Sequence, residues 1–350
     1  MRIIDANLNR LGEGLRFMEE IARFVLDDPL LTSELKNLRH RLSPQDPTLK
    51  SLYLDARNSA ADIGPAITLG DKEGIRDLTQ AIVANARRAE ESLRILEELA
   101  KTAGAELDET ALQEARFAVY TLEKTLIARL LRQDKTPLIC GLHSVVDTAN
   151  LGGYPPAEVT HEILRGGARV IRLRDKLTPK PQILDLAREI AALCHEYGAI
   201  FIVNNALDIA LAAGADGLHL EEDDLPVSIV RKLLPMNRLV GRSVQSLVEA
   251  RCAQTDGADY LEYGADWAIN TAPGSSVPHC LLLAQIKKAV NLPVIALGDI
   301  TQHNVTEILH AGADGLAVTN LPLAPGSIET ATCRIIKAME VPRESAQPQS

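Results

Sequence analysis

Apolar positions between residues 5 and 27 recur at three- and four-residue steps. Leu8, Leu11, Leu15, Met18, Ile21, Ala22 and Val25 form one stripe, the period of an amphipathic helix. Asp5 is placed to cap that helix and Asp28-Pro29 to stop it. Similar stripes run through 30–42, 74–102 and 108–133, and no alternating pattern of comparable strength precedes residue 138. Residues 1–133 therefore read as an all-α domain. Asp55–Pro65 lies between two of the stripes and reads as a loop.

The pattern changes at Asp134-Lys135-Thr136-Pro137, which reads as a linker. Short apolar runs then alternate with helical segments. The runs are Leu138–Val146, Arg169–Leu173, Ile200–Val203, Gly217–Leu220, Leu239–Arg242, Tyr260–Tyr263, Pro293–Leu297 and Gly315–Val318. Gly-Gly-Ala-Arg at 166–169 and Ala-Gly-Ala-Asp at 213–216 and 311–314, with Asp-Gly-Ala-Asp at 256–259, each end a helix directly before a strand. Eight βα units in roughly 205 residues match a (β/α)8 TIM barrel. The rival, an open doubly wound sheet, needs fewer strands and usually a G-x-G-x-x-G turn, and none follows any run here. The predicted class is α/β: a TIM barrel over 138–340 behind an all-α N-terminal domain. The tail 341–350 reads as disordered.

Composition narrows the function. The chain has 350 residues, which suits two domains rather than one. Aromatics at 3 % and a net charge of -10 argue against a nucleic-acid binder. No apolar run approaches the roughly 18–20 residues of a membrane span. Charges come too early for a secretory leader, so a cytoplasmic location is expected. The five cysteines are scattered without a C-x-x-C pair and read as reduced thiols, not as a disulfide frame or zinc site.

The helical half contains a repeat. Ala6–Arg16 recurs 78 residues later as Ala84–Arg94, with Asn7, Arg10, Glu13 and Arg16 matched by Asn85, Arg88, Glu91 and Arg94. Glu19, Glu20 and Ala22 recur as Glu97, Glu98 and Ala100. Two readings stand. The repeat is either an old duplication whose Arg–Glu pairs tie helices together, at about 0.3–0.5 kcal/mol per exposed pair, or a polar pocket between two helices. In the second, Arg10, Arg16, Arg88 and Arg94 are available for a phosphate.

In a TIM barrel, reactive groups gather where strands end. Strand two ends Arg172-Leu173-Arg174-Asp175-Lys176, which puts three cations on one side by period two. That grouping suggests a phosphate cradle, against the alternative that Asp175 and the next helix neutralise them. Strand three ends in two amides, Asn204 and Asn205. Strand four ends Leu220-Glu221-Glu222-Asp223-Asp224, which suits Mg2+ shared with a phosphorylated ligand. A helix N-terminus enriched in acids would look the same. His219 is expected to point away from the loop residues, packed in the barrel wall rather than acting as a base. Strand five ends Gly241-Arg242-Ser243-Val244-Gln245-Ser246, strand seven Leu297-Gly298-Asp299, and strand eight Val318-Thr319-Asn320.

Taken together, Arg172–Lys176, Phe201–Asn205, Gly214–Leu220 with Asp224-Leu225-Pro226, Gly257–Tyr260 and Ala311–Gly315 resemble the thiamine phosphate synthase family. Gly241–Val244 followed by Ser246 resembles its relative, the thiazole tautomerase. The likeness covers about 138–340. It implies a barrel that joins hydroxymethylpyrimidine diphosphate to a thiazole phosphate, with release of pyrophosphate and help from Mg2+. By the same resemblance, Arg174 and Lys176 would hold the diphosphate, beside Arg172, and Asp224 the metal. Asn204 and Ser243 would face the pyrimidine, and Asn205 and Thr271 would also contact substrate. Gly298 would let amides approach the thiazole phosphate. Lys176 and Ser243 would be the catalytic pair. Met1–Arg10, Glu13–Arg16 and the loop Arg57 to Gly64 resemble a module often fused ahead of this synthase. That module is regarded as a hydroxymethylpyrimidine-phosphate kinase. ATP would then be its phosphate donor, and no P-loop motif occurs.

The chain departs from the family pattern at several positions. Arg172 replaces a Gln, Asn205 an Asp, and Ile269–Ala272 a Thr-x-Thr-Lys loop. Asp299 replaces a Gly and Asn320 a Ser. Gln245 stands where the tautomerase has His, and Asn58 follows Arg57 where the module usually has Asp. Weak synthase turnover is the expectation. The alternative is a barrel kept as a binding or dimerisation scaffold, with activity only in the helical module. Oligomeric state stays open, a homo-oligomer included.

Overall fold

Helix α1 (Arg2–Phe24) buries Leu11, Leu15, Met18, Ile21 and Ala22, the stripe expected of it. It starts earlier than predicted. Met1 is the N-cap and Asp5 sits inside the first turn. Asp28 caps the next helix instead of merely ending the first, accepting from the N–H groups of Leu30 and Leu31. Helices α2 (Pro29–Leu42), α3 (Leu78–Ala100) and α4 (Glu109–Leu130) follow the other stripes. Their apolar faces meet in one core. This computed structural model describes residues 1–43, 51, 77–102, 107–265, 277–319 and 326–340. The predicted loop at 55–65 and the tail 341–350 lie outside them. The chain divides into two units, Met1–Gln133 and Asp134–Ser350.

The sequence repeat extends to the ion pairs. Glu19 accepts from Arg39 Nε at 2.8 Å, tying α1 to α2. Glu97 accepts from Arg116 Nε at 2.7 Å, tying α3 to α4 in the same way. Each copy of the repeat thus ties its helix to the next one in the chain.

Glu90 on α3 faces Glu123 on α4. Burial first, then the Glu123 charge, raises the Glu90 carboxyl from 4.5 to about 7. A proton is thus held more tightly in the folded chain than in the unfolded one. The stabilisation is full below pH 4.5 and is lost as pH rises through about 7. Glu90→Gln should therefore raise the melting temperature at pH 8, on the order of 2–5 °C, and change little at pH 4.5. Thermal unfolding at the two pH values checks this.

In the second unit, strands β1 (Leu142–Asp147), β2 (Val170–Arg174), β3 (Ile200–Asn204), β4 (Gly217–Leu220), β5 (Leu239–Ser243), β6 (Tyr260–Gly264), β7 (Val294–Leu297) and β8 (Gly315–Val318) pair in parallel, each with the next, and β8 closes on β1. The first strand begins four residues later than expected, because Thr136–Ile139 forms a helical turn, α5. Ile139 from that turn joins Val170, Ile200, Ile202, Leu239, Tyr260, Ile295 and Ala317 to fill the barrel interior. The alternate residues, such as Ile171, Leu173, Phe201 and Val203, face the surrounding helices. Gly167, Gly214, Gly257 and Gly312 all adopt positive φ where a helix turns into the next strand, as their repeated motif required. Among the described residues, no helix is long and apolar enough to cross a membrane.

Candidate active site

Inward alternation on each strand places an apolar layer low in the barrel and a polar layer above it. The polar layer comprises Arg172, Asn204, His219, Ser243 and Glu262. Above them opens a cavity of about 260 Å3 at the C-terminal ends of the strands, edged by Arg174, Glu221, Gln245 and Thr319. This is the end at which TIM barrels do chemistry.

The three predicted cations do share one side, but their counter-ions belong to the protein. Arg172 is 2 % exposed and forks onto the equally buried Glu262. The free cationic cradle expected from Arg172, Arg174 and Lys176 is corrected on this point. Arg172 lies in the cavity floor, ion-paired and donating its Nε to Asn204 Oδ1 at 3.2 Å. Arg174 meets Asp147 at 3.0 Å and Glu221 at 3.1 Å. Lys176, half exposed, meets the other oxygen of Glu221 at 2.7 Å. One carboxylate thus bridges the two outer cations. Burial opposes that charge, but Lys176 and Arg174 hold the Glu221 carboxyl below its usual range. Asp175 does not neutralise them. It accepts from Thr148 and from the N–H groups of Leu177 and Thr178, shaping the loop after β2.

Asp224 lies on the same rim, through Glu221. Its Oδ2 accepts from the Glu221 N–H at 2.6 Å and from Asn205 Nδ2 at 2.6 Å. Asn205 sits at φ 64°, a left-handed conformation that Asn tolerates. Its N–H reaches His219 O. Asp224 therefore belongs to a folded loop, not to the first turn of the following helix (Val227–Leu233), which carries no acid there. Among the described residues no cluster of three or more His, Cys, Asp or Glu could hold a metal by itself. One carboxylate beside an amide does fit Mg2+ that arrives with phosphate oxygens, because Mg2+ is usually bound through one or two carboxylates plus substrate and water.

Ser243 ends β5 and accepts or donates at three places: His219 Nε2 at 2.9 Å and Glu262 Oε1 at 3.3 Å on the protein side, and the cavity on the other. The expectation that His219 points away from the site is corrected. Residue 219 has inward parity on β4, so its fully buried ring touches Ser243, Glu262 and Tyr260. Burial and the Arg172 charge lower its pKa, which keeps the ring neutral. Glu262 was missed. The signal was there: a lone acid at an inward position of an apolar strand run. Burial raises its carboxyl, but Arg172 and His219 outweigh this and hold it well below the carboxylate range.

Gly298 directly follows β7, on the same rim. Thr271, the 269–272 loop and Asn320 lie outside the described residues. Among the predicted site residues, the structure thus brings together Arg172, Arg174, Lys176, Asn204, Asn205, Ser243 and Asp224.

A second cavity, of about 390 Å3, lies between α1 and α3 and is lined by the repeated residues Asn7, Arg10, Glu13, Asn85, Arg88 and Glu91. It exists because Gly14 lets the helices touch; a Cβ there would sit 2.6 Å from Asn85 O. Asn7 and Asn85 both spend their amide N–H on a carbonyl four residues back, at 2.8 and 2.9 Å. The buried Asn7 Oδ1 is left without a partner. Arg16 and Arg94 do not line it; Arg16 pairs with Glu20 on the surface.

Residues 142–321 match the family described as thiamine monophosphate synthase, and residues 2–125 match the ThiD2 family. The chain is 35 % identical to a thiamine-phosphate synthase of Thermosynechococcus vestitus, over 97 % of this chain and 94 % of that protein. A thiamine-phosphate synthase of Nostoc punctiforme is 35 % identical over 91 % of this chain and 88 % of its own. Among solved structures, a thiamine phosphate pyrophosphorylase from Pyrococcus furiosus superimposes with a TM-score of 0.52. It is 32 % identical and covers 59 % of this chain and 97 % of its own.

Proposed function

The chain belongs to the thiamine monophosphate synthase family, and from that premise we propose that its barrel joins hydroxymethylpyrimidine diphosphate to thiazole phosphate. It is a transferase of thiamine biosynthesis. The thiazole nitrogen forms a bond to the pyrimidine methylene as the methylene C–O bond breaks, and pyrophosphate leaves with the electron pair. Negative charge builds on the departing oxygens. Arg174 and Lys176 are the donors aimed at that charge once the diphosphate displaces the Glu221 carboxylate from between them. The observation that carries this reading is Glu221, whose carboxylate bridges both cations at 3.1 and 2.7 Å. An anionic group already occupies the place a diphosphate would take. Asp224, with Asn205 beside it, would hold Mg2+, which offsets diphosphate charge. Asn204 and Ser243 turn toward the cavity and would orient the pyrimidine. Phosphorylated, water-soluble reactants support a cytoplasmic setting.

Pyrophosphate should therefore inhibit competitively against the pyrimidine diphosphate and not against the thiazole phosphate. Steady-state inhibition with each substrate varied in turn checks this. Competition against the thiazole phosphate alone would move the diphosphate seat elsewhere.

For the helical unit, the α1–α3 cavity supports a small-molecule site for a phosphorylated pyrimidine, with ATP as donor. Its supporting observation is the unpartnered, buried Asn7 Oδ1 beneath Arg10 and Arg88. Replacing both arginines by Ala should weaken binding of the pyrimidine monophosphate at least tenfold by calorimetric titration. Unchanged affinity would leave the repeat as a trace of duplication.

A further inference from the structure

The substrate-facing Asn204 and Ser243 are the two ends of one buried chain of hydrogen bonds, and the polarity of every bond in it can be worked out. Arg172 can only donate, so the oxygen of Asn204, not its nitrogen, must face Arg172 Nε at 3.2 Å. The Asn204 amide N–H group is thereby left for the cavity. At the other end, the Glu262 carboxylate can only accept and lies 3.2 Å from His219 Nε2, so that nitrogen carries the proton of the neutral ring and shares it with Ser243 Oγ at 2.9 Å. Nδ1 is then an acceptor, and the Tyr260 hydroxyl at 3.1 Å donates to it. With Nε2 a donor, the Ser243 hydroxyl proton goes to Glu262 Oε1 at 3.3 Å, since a carboxylate only accepts. Ser243 is left with a lone pair toward the cavity.

Resting on the synthase reading above, we propose that Glu262 and its partner Arg172 are positioning residues that fix this polarity. The site then presents one donor (Asn204) and one acceptor (Ser243) to its ligand. The complementary edge is a ring nitrogen that accepts, next to an exocyclic amine that donates, as on an aminopyrimidine. Glu262 is only 2 % exposed, and a buried charge of this kind is costly to keep for packing alone. Its carboxylate is taken up by the bonds with Ser243 and His219 and by the pairing of Arg172.

The test is binding by the full-length chain, which does not require turnover. Aminopyrimidine diphosphate and its analogue with methyl in place of the amine are titrated calorimetrically against the parent and against Arg172→Gln/Glu262→Gln, which removes both buried charges together. The parent should prefer the amine at least thirtyfold. The double variant should reduce that preference to about threefold or less, because Ser243 is then free to turn its proton either way. Glu262→Asp should keep most of the preference. A purely structural role would weaken both ligands equally and leave the ratio intact, and that result overturns the proposal. If the double variant does not fold, Ser243→Ala removes the acceptor at the partly exposed end of β5 and leaves the buried ion pair in place. The preference should fall to about threefold or less there too, and an unchanged ratio is again fatal. A parent that binds both ligands equally overturns the proposal outright. A parent that discriminates but forms no thiamine phosphate would sink the synthase reading alone.

Discussion

Arg174→Ala lowers kcat/KM for the pyrimidine diphosphate by about 10²–10³, the usual cost of losing one donor aimed at charge that develops in the transition state. The loss falls mainly on kcat, because Lys176 remains to bind the ground state. The fold survives the change. Asp147, one partner of Arg174, keeps its contacts with the Ala149 N–H and with Asn150 Nδ2, and Glu221 keeps Lys176. Arg174→Lys should recover only part of the rate, since an ammonium cannot span two oxygens as a guanidinium fork does. Pyrophosphate release in steady state measures both. A variant within threefold of the parent would mean that the diphosphate is held by other groups.

Asn205→Asp is expected to act in the opposite direction. In the parent, Asn205 Nδ2 donates to Asp224 Oδ2 at 2.6 Å, so a neutral amide stands where a second carboxylate would add attraction for Mg2+. The substitution leaves two carboxylates face to face, and a pair of like charges at that range is relieved by a cation between them. A unit pair at about 4 Å and an effective dielectric near 20 is worth roughly 4 kcal/mol. Even a third of that is about a tenfold gain in Mg2+ affinity. Asp tolerates the left-handed backbone at 205 about as well as Asn does. Mg2+-dependent thermal stabilisation should therefore shift to at least tenfold lower concentration. Combined with Ala272→Lys and Asp299→Gly, which restore the family's residue types at the two positions where the resemblance implies phosphate contacts, turnover should rise well above the parent's. Mg2+ titration followed by thiamine phosphate assay checks the two steps separately. No shift in the Mg2+ midpoint would detach Asp224 from the metal.

The barrel was legible because period-two runs and Gly-Ala-Asp punctuation repeat along the second half. β4 and β8 begin and end where predicted, and most other ends move by one residue. β1 is the exception. Its first two residues, Leu138 and Ile139, are as apolar as a strand, but they end the helical turn that closes the barrel floor, which local pattern cannot distinguish. Strand parity placed Arg172, Arg174 and Lys176 on one side but could not supply their partners. Asp147, Glu221 and Glu262 come from strands or loops 27 to 90 residues away in sequence, and only barrel closure brings them together. His219 went astray for the reason that Glu262 was missed: the inner face of a barrel was taken for packing, whereas its upper layer is polar. The α1–α3 cavity, by contrast, was one of the two readings the repeat allowed, although Arg16 and Arg94 do not line it. A repeat of polar identities, not merely of polar character, is the mark of residues that share an environment.

That this barrel is a working synthase is tested most directly by supplying the pure full-length chain with hydroxymethylpyrimidine diphosphate, thiazole phosphate and Mg2+, and measuring thiamine phosphate and pyrophosphate together. The expected result is one pyrophosphate per thiamine phosphate, at a modest rate that falls away when Mg2+ is chelated. No thiamine phosphate at any Mg2+ concentration would contradict it and leave the barrel a scaffold.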